Sequence, residues 1–182
     1  MIFRDVSSGK AEPAPVPEVD AGAGSVEPLQ ASDEVGSGRD VPTNLVDESL
    51  FSSPYAKYTL TQGPHGFSYG HMAIDIAAGK DAKIKSPIHG EVTELYIDEY
   101  GNPTLVIEND IFQVTMLHGK YKVSVGDLVE LGQMVGRESN IGYTTDINGR
   151  LCWNRECGYH THLNVYDKHL GTNINPLTLM GE

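Results

Sequence analysis

Five side chains in this sequence have the types and the spacing needed to bind a metal ion and to act on a water molecule beside it. His71 and Asp75 form an H-x-x-x-D pair. His160 and His162 form an H-x-H pair nearly ninety residues after His71, and His118 ends an apolar run. Two imidazoles and one carboxylate leave a tetrahedral zinc ion one open position for water, which is typical of catalytic rather than structural zinc. The two remaining histidines would then lie beside that water.

The spacing of these residues limits the elements that can carry them. Segment 161–166 has the β-branched and aromatic composition of a strand. Residues two apart on a strand point to the same face, so His160 and His162 should project together. On a straight strand, His71 and Asp75 would be about 13 Å apart, which is too far for both to bind one ion. We therefore expect His71 on a loop that folds back over a strand carrying Asp75.

Several short stretches of the chain carry recognisable motifs. They are 70–78 (GHMAIDIAA), 86–92 (SPIHGEV), 117–119 (LHG), 125–136 (VGDLVELGQMVG) and 160–163 (HTHL). In this order and at these intervals, the motifs resemble the lysostaphin-type (LytM-like) zinc endopeptidases of bacterial cell walls. Each motif alone is common, but the ordered set is specific, and the resemblance covers about residues 55–180.

The resemblance implies roles for single residues. His71, Asp75 and His162 would hold one Zn²⁺ ion per chain, and His118 and His160 would be the catalytic histidines. The enzyme would hydrolyse peptide bonds of peptidoglycan, in the stem peptide or the cross-bridge. The sequence has no H-E-x-x-H motif to supply a glutamate base, so a histidine must serve, and the base is not assigned between the two. We interpret the other histidines as surface or structural residues: His65, His89 and His169.

The chain departs from the family pattern near three of these motifs. Met72-Ala73 stands where relatives usually have a glycine, and Met116–Gly119 replaces a usual Tyr-Ala-His-Leu run. Asn164 lies where an acidic residue is common. None of these departures removes a predicted ligand. They alter the groove walls and the partners of the ligands, so the substrate preference does not follow from the resemblance.

The rest of the chain predicts an all-β domain, mainly an antiparallel sheet with long loops around an open groove. Gly90–Ile97, Thr104–Glu108 and Ile111–Leu117 are rich in strand-forming residues, and Asn109-Asp110 is typical of a tight hairpin turn. No helical periodicity extends beyond a turn or two. We place the zinc peptidase domain at residues 51–182.

Residues 1–50 have the composition of an acidic linker. They are rich in proline, glycine and serine and carry 10 acidic against 3 basic side chains, more than half of the net charge of −12. Such a segment buries too little apolar surface to offset its ordering entropy, so we expect it to be disordered. It is either a tail with no role of its own or a stalk that separates the domain from a membrane anchor upstream.

Composition also bears on partners and location. A pI near 4.9 without a basic patch argues against nucleic-acid binding. No apolar stretch approaches the ~18 residues of a membrane span, and no signal peptide is evident. We expect a monomer that is exported or anchored in the cell envelope, extracellular or periplasmic, and that acts on peptidoglycan peptides.

Cys152 and Cys157 are the only cysteines, and they bracket four residues just before the H-x-H pair. A disulfide between them would contribute about 2 kcal/mol in the chain-entropy model and would stiffen one wall of the groove. It would also imply an oxidising compartment, whereas the alternative is two free thiols in a cytosolic protein. A cysteine-based zinc site is not expected, because C-x4-C has no partner pair.

Two rival functions remain open. The same fold could be an inactive or regulatory wall-binding module that recruits or activates another wall hydrolase, although such relatives would be expected to lack ligands. The glycine-punctuated segment 123–133 also resembles the carrier domains of lipoyl or biotinyl groups. Those domains display a lysine between apolar residues on a hairpin tip, and no lysine here stands in that context.

Overall fold

The computed structural model describes residues 47, 49–152 and 154–181, and every structural statement below concerns those residues. The predicted linker, residues 1–50, falls almost entirely outside them. Its disorder and its role as a stalk therefore stay predictions.

The all-β prediction is confirmed, because strands make up nearly all of the regular structure. The strands are β1 (Thr59–His65), β2 (Ala73–Ala77), β3 (Lys83–Lys85), β4 (Gly90–Ile97), β5 (Pro103–Glu108), β6 (Phe112–Leu117), β7 (Lys120–Tyr121), β8 (Leu128–Val129), β9 (Met134–Arg137), β10 (Thr161–Asp167) and β11 (Thr172–Ile174). A 3-10 turn spans Phe67–Tyr69, and a short helix, α1, spans Pro176–Met180. Neither is long and apolar enough to cross a membrane.

The strands form two antiparallel sheets. Among the described residues, the larger sheet has the order β1-β2-β10-β6-β5-β4-β8, with β11 paired to β10, and the smaller sheet has the order β3-β9-β7. The predicted hairpin of β5 and β6 is confirmed. Its turn is closed by Asn109 Oδ1, which accepts hydrogen bonds from the backbone N–H groups of Ile111 and Phe112 at 2.9 Å and 2.7 Å.

Strand β6 of the larger sheet has one buried face and one partly covered face. Along β6, the residues Phe112, Val114 and Met116 are buried, whereas the alternate residues are only partly covered. This period-two pattern places one face on the core and leaves the other free to line a groove. Burying one large aliphatic side chain stabilises the folded state by about 1.5–3 kcal/mol. The core consists mainly of such side chains: Ile74, Ile76, Ile84, Ile88, Val92, Leu105, Ile107, Val114, Met116, Val135, Leu163 and Val165.

Strand register brings distant parts of the chain together. Strand β10 lies between β2 and β6, so that His162 is directly opposite Asp75 on one side and Leu117 on the other. His118 follows Leu117 immediately. Three segments that are far apart in sequence therefore meet at one end of the central strands.

Candidate active site

The H-x-H pair projects towards one carboxylate, as its spacing predicts. His162 Nδ1 lies 3.0 Å from Asp75 Oδ1, and His160 Nε2 lies 3.7 Å from Asp75 Oδ2. The ring of His118 packs against that of His160, with centroids 4.6 Å apart. The structure thus brings both predicted catalytic histidines next to two of the predicted ligands.

His71 lies on a loop between the 3-10 turn and β2, which confirms the loop prediction. Its Nδ1 lies 3.4 Å from His162 Nε2. This nitrogen is on the opposite side of the His162 ring from the one that faces Asp75. His71 therefore belongs to the cluster, but the family-implied ligand set of His71, Asp75 and His162 stays a prediction.

Two asparagines hold the His71 loop in place. Met72 N donates to Asn164 Oδ1 at 3.0 Å, and Asn164 Nδ2 donates to Asn173 Oδ1 at 2.8 Å. Asn173 Nδ2 in turn donates to the carbonyl oxygen of Gly70. An amide at position 164 can accept on one side and donate on the other, which a carboxylate cannot do. The departure at Asn164 thus has a local structural role.

His65 also lies in this cluster, although the sequence alone suggested a surface or structural role. Its Nε2 is 3.2 Å from His162 Nδ1 and 3.5 Å from Asp75 Oδ1. The β1–β2 pairing places His65 opposite Ala73, two residues before Asp75. The position of His65 depends on how β1 pairs with β2. The sequence could have indicated it only if residues 59–77 had been recognised as a hairpin with an irregular turn.

The cluster keeps Asp75 ionised and His71 neutral. Burial alone would raise the pKa of Asp75, but the hydrogen bond from His162 and the nearby imidazoles lower that pKa below its ordinary value. Burial lowers the pKa of His71, and the neighbouring His162 and His65 lower it further. A negative carboxylate beside a neutral imidazole is the protonation state that binds a divalent metal.

The three atoms nearest one another fit a tetrahedral metal ion. His65 Nε2, Asp75 Oδ1 and His162 Nδ1 are separated by 3.0 Å, 3.2 Å and 3.5 Å. Zinc with ligands at about 2.0–2.1 Å places adjacent ligand atoms about 3.3 Å apart. Imidazole nitrogen and carboxylate oxygen are donor types that zinc prefers, so this part of the chain can hold such an ion.

His118 and His160 are both oriented with Nε2 free to accept a proton. His118 Nδ1 lies 2.9 Å from the carbonyl oxygen of Ile141, and His160 Nδ1 lies 2.9 Å from that of Gly158. A carbonyl oxygen can only accept, so each Nδ1 carries the hydrogen and each Nε2 keeps its lone pair. This is the tautomer required of a general base acting through Nε2.

The backbone of His118 is held in an uncommon conformation. Its φ is +69°, in the left-handed region that non-glycine residues adopt rarely. Its N–H donates to Pro103 O at 3.0 Å, and its carbonyl accepts from Ser139 Oγ. These contacts on both sides stabilise a conformation that turns the ring towards His160, and such conformations cluster at functional sites.

We expect metal-free protein to lose stability as the pH falls from about 6.5 to 4. Burial, reinforced by His160, lowers the pKa of His118 from 6.5 to about 4. Between these pH values the unfolded chain binds a proton at His118 that the folded chain does not bind. Acidification therefore lowers the free energy of unfolding by on the order of 3 kcal/mol. Urea unfolding of chelator-treated protein at pH 7 and pH 4.5 measures the effect. An equal pH dependence in His118→Gln would contradict it.

The predicted disulfide between Cys152 and Cys157 is confirmed, with the two Cα atoms 5.4 Å apart. It packs against Gly158, where an added Cβ would approach Cys152 Sγ to 2.9 Å. Because the Gly158 carbonyl orients His160, the disulfide loop supports a predicted catalytic residue. Asn140 Nδ2 holds the same loop by donating to the carbonyl oxygens of Arg155 and Cys157 at 2.8 Å and 3.0 Å.

Replacing both cysteines with alanine should lower the free energy of unfolding by about 2 kcal/mol, because the unfolded chain regains the freedom of a closed loop. Denaturant titration of the two proteins measures this difference. Mass spectrometry of the unreduced protein should show Cys152 linked to Cys157. Two alkylatable thiols in protein exported to an oxidising compartment would contradict the pairing.

A groove lies over β4, β5 and β6 of the larger sheet, and His71 of the histidine cluster forms part of its lining. Its volume is about 260 Å³. Side chains of β4, β5 and β6, with residues next to them, form its floor and walls: His71, Glu94, Tyr96, Asp98, Thr104, Val106, Gln113, Thr115 and Leu117. An extended peptide lying along this face would have one of its bonds close to the cluster.

Solved structures share this fold. A putative M23 peptidase from Pseudomonas aeruginosa superposes with a TM-score of 0.57 at 21% identity, over 75% of this chain and 53% of that chain. A zinc-containing peptidase from Vibrio cholerae gives 0.55 at 26% identity, over 70% and 39%. The antimicrobial peptidase lysostaphin from Staphylococcus simulans gives 0.54 at 20% identity, over 73% and 53%.

Sequence comparison identifies the family. Residues 69–176, more than half of the chain, match the model of peptidase family M23, and the chain belongs to that family. This confirms the lysostaphin-type resemblance. Lysostaphin of Staphylococcus staphylolyticus is 33% identical over 87 residues, which are 45% of this chain. The same stretch is 18% of that lysostaphin, so the chain spans less than a fifth of the length of the curated relative.

Proposed function

We propose that the protein is a zinc metallo-endopeptidase that hydrolyses peptide bonds of bacterial peptidoglycan. The observation that carries the proposal is the pair His118 and His160. Each keeps a lone pair on Nε2. The Nε2 of His160 lies 3.7 Å from Asp75 Oδ2, and the ring of His118 packs against that of His160. Membership of peptidase family M23 and similarity to lysostaphin support both the reaction and the substrate class.

The metal would be held by His71, Asp75 and His162, the ligand set that the resemblance implies. Bound zinc would lower the pKa of a coordinated water towards neutrality and would polarise the carbonyl of the scissile bond. The donor types suit this ion, and Asp75 supplies a negative charge that offsets it.

His118 and His160 would transfer the protons of the reaction. Either free Nε2 can accept a proton from a water molecule and return it to the leaving amine. The carboxylate of Asp75 lies 3.7 Å from His160 Nε2, the atom that would accept the proton. His118, whose pKa is lowered to about 4, stays neutral at neutral pH and is kept available as a proton acceptor.

Location and substrate form the remaining part of the proposal. The disulfide accords with export to an oxidising compartment such as the periplasm or the cell exterior. The groove is open along the sheet, so it suits an extended, unstructured peptide such as a stem peptide or cross-bridge. Glu94 and Asp98 give it an acidic wall that would attract a cationic amino group.

Digestion of purified peptidoglycan and defined muropeptides, with mass spectrometry of the products, tests the proposal. We expect zinc-loaded protein to release peptide fragments with new amino termini, and chelator-treated protein to release none. His169→Ala, a substitution of an exposed histidine, should cleave normally. Zinc-loaded protein that binds peptidoglycan without cleaving any wall peptide would overturn the proposal in favour of a regulatory module.

A further inference from the structure

His65 is a conspicuous feature of the cluster because it lies outside residues 69–176, the part of the chain that the family model matches. The ligand set that the family resemblance implies does not include it. Its ring is nevertheless mostly buried, with 19% of the side chain exposed, and it packs edge-on against His162 at a centroid distance of 4.9 Å.

We infer that His65 is a metal ligand, binding through Nε2 in the same site as Asp75 and His162. Its Nδ1 lies 2.9 Å from the carbonyl oxygen of Gly63, which can only accept, so Nδ1 carries the hydrogen and Nε2 keeps its lone pair. A backbone carbonyl that accepts from the far nitrogen is the usual partner of a metal-binding histidine, because it fixes the tautomer and the ring orientation.

The separations favour His65 over a purely structural role. Its Nε2 completes a triangle with Asp75 Oδ1 and His162 Nδ1 whose edges, 3.0–3.5 Å, bracket the edge of a zinc tetrahedron, about 3.3 Å. Without metal, the hydrogen on His162 Nδ1 lies between the carboxylate and His65 Nε2. A divalent cation would replace that hydrogen and receive all three lone pairs.

His71 occupies a different place in the same cluster. The Nδ1 of His71 lies near His162 Nε2, whereas Asp75 lies near His162 Nδ1. One imidazole cannot direct both of its nitrogens at a single ion. In the arrangement described, His65 is thus closer to the shared donor pair than the histidine that the family resemblance selects. The inference rests on the zinc part of the proposed function, and it concerns the ligand set rather than the reaction.

The strand that carries His65 makes the inference testable by substitution. Strand β1 is an edge strand, pairs only with β2 among the described residues and is largely exposed, so changing its last residue should leave the core intact. His65→Gln keeps a polar side chain of similar size but removes the imidazole. His169→Gln is the matched control, because His169 is exposed and follows the end of β10, outside the cluster.

The direct test is nitrogen-15 NMR of the histidine rings during a zinc titration of the wild-type protein, with His65→Gln used to assign the His65 signals. We expect the His65 Nε2 resonance to shift as one equivalent of zinc binds. In competition with a chelator, His65→Gln should bind zinc at least about 10- to 100-fold more weakly, since even the loss of a supporting partner has that effect. His169→Gln should match the wild type, and circular dichroism should show both variants folded.

The outcomes separate the two proposals. If one equivalent of zinc binds while the His65 Nε2 resonance stays in place and His65→Gln keeps wild-type affinity, the inference is wrong and the proposed function stands. If the wild-type protein binds no zinc, the proposed function and the inference both fall.

Discussion

Replacing His118 or His160 with alanine should slow peptide hydrolysis by a factor of about 10² to 10⁴ while leaving zinc and fold in place. Neither residue belongs to a proposed ligand set, so the metal should remain. The Nδ1 of each faces a backbone carbonyl oxygen and Nε2 keeps its lone pair, so each substitution removes a group that could accept or return a proton. The measurement is the rate of muropeptide cleavage, with the zinc content of each variant determined alongside.

The double variant shows whether the two histidines act together. If both serve one water molecule, the combined substitution should slow hydrolysis much less than the product of the two single effects. His169→Ala serves as the control for the loss of a histidine outside the cluster. Loss of zinc from His160→Ala would mean that ligand and base are exchanged within the H-x-H pair. A full multiplicative effect would show that the two residues act independently.

The parts of the site that follow from the sequence are those fixed by strand geometry. Period-two alternation was enough to predict that His160 and His162 project together. On an extended strand His71 and Asp75 would be too far apart to bind one ion, and this was enough to predict that His71 lies on a loop. The hairpin between β5 and β6 was predicted from its composition and turn residues. The disulfide followed from the spacing of Cys152 and Cys157 and the lack of any other cysteine.

The parts that did not follow depend on register and on loop geometry. His65 reaches the cluster only because the β1–β2 pairing has shifts that bring it opposite Ala73, which no local pattern reports. The left-handed backbone of His118 depends on contacts with Pro103 and Ser139, both distant in sequence. Asn164 showed as a departure from a pattern, and its use in holding the His71 loop became clear only in three dimensions.

His162→Ala should abolish zinc binding, and this is the largest effect that we expect at the site. Like Asp75, His162 belongs to both candidate ligand sets, the one with His71 and the one with His65, so its loss leaves neither intact. Elemental analysis should find close to one zinc per wild-type chain and essentially none in the variant. Because the ligands come from separate strands and a loop, the bound ion should also stabilise the folded state.

Unfolding with and without zinc separates metal binding from packing. In the wild type, free zinc at about 100 times its dissociation constant should add about 2.7 kcal/mol to the free energy of unfolding, and His169→Ala should keep that increment. In His162→Ala the increment should vanish. The metal-free variant should also be about 1–3 kcal/mol less stable than the metal-free wild type, because the buried carboxylate of Asp75 loses a hydrogen bond. Full zinc occupancy in His162→Ala would contradict the assignment of His162 as a ligand. An undiminished increase in the free energy of unfolding on adding zinc would contradict it as well.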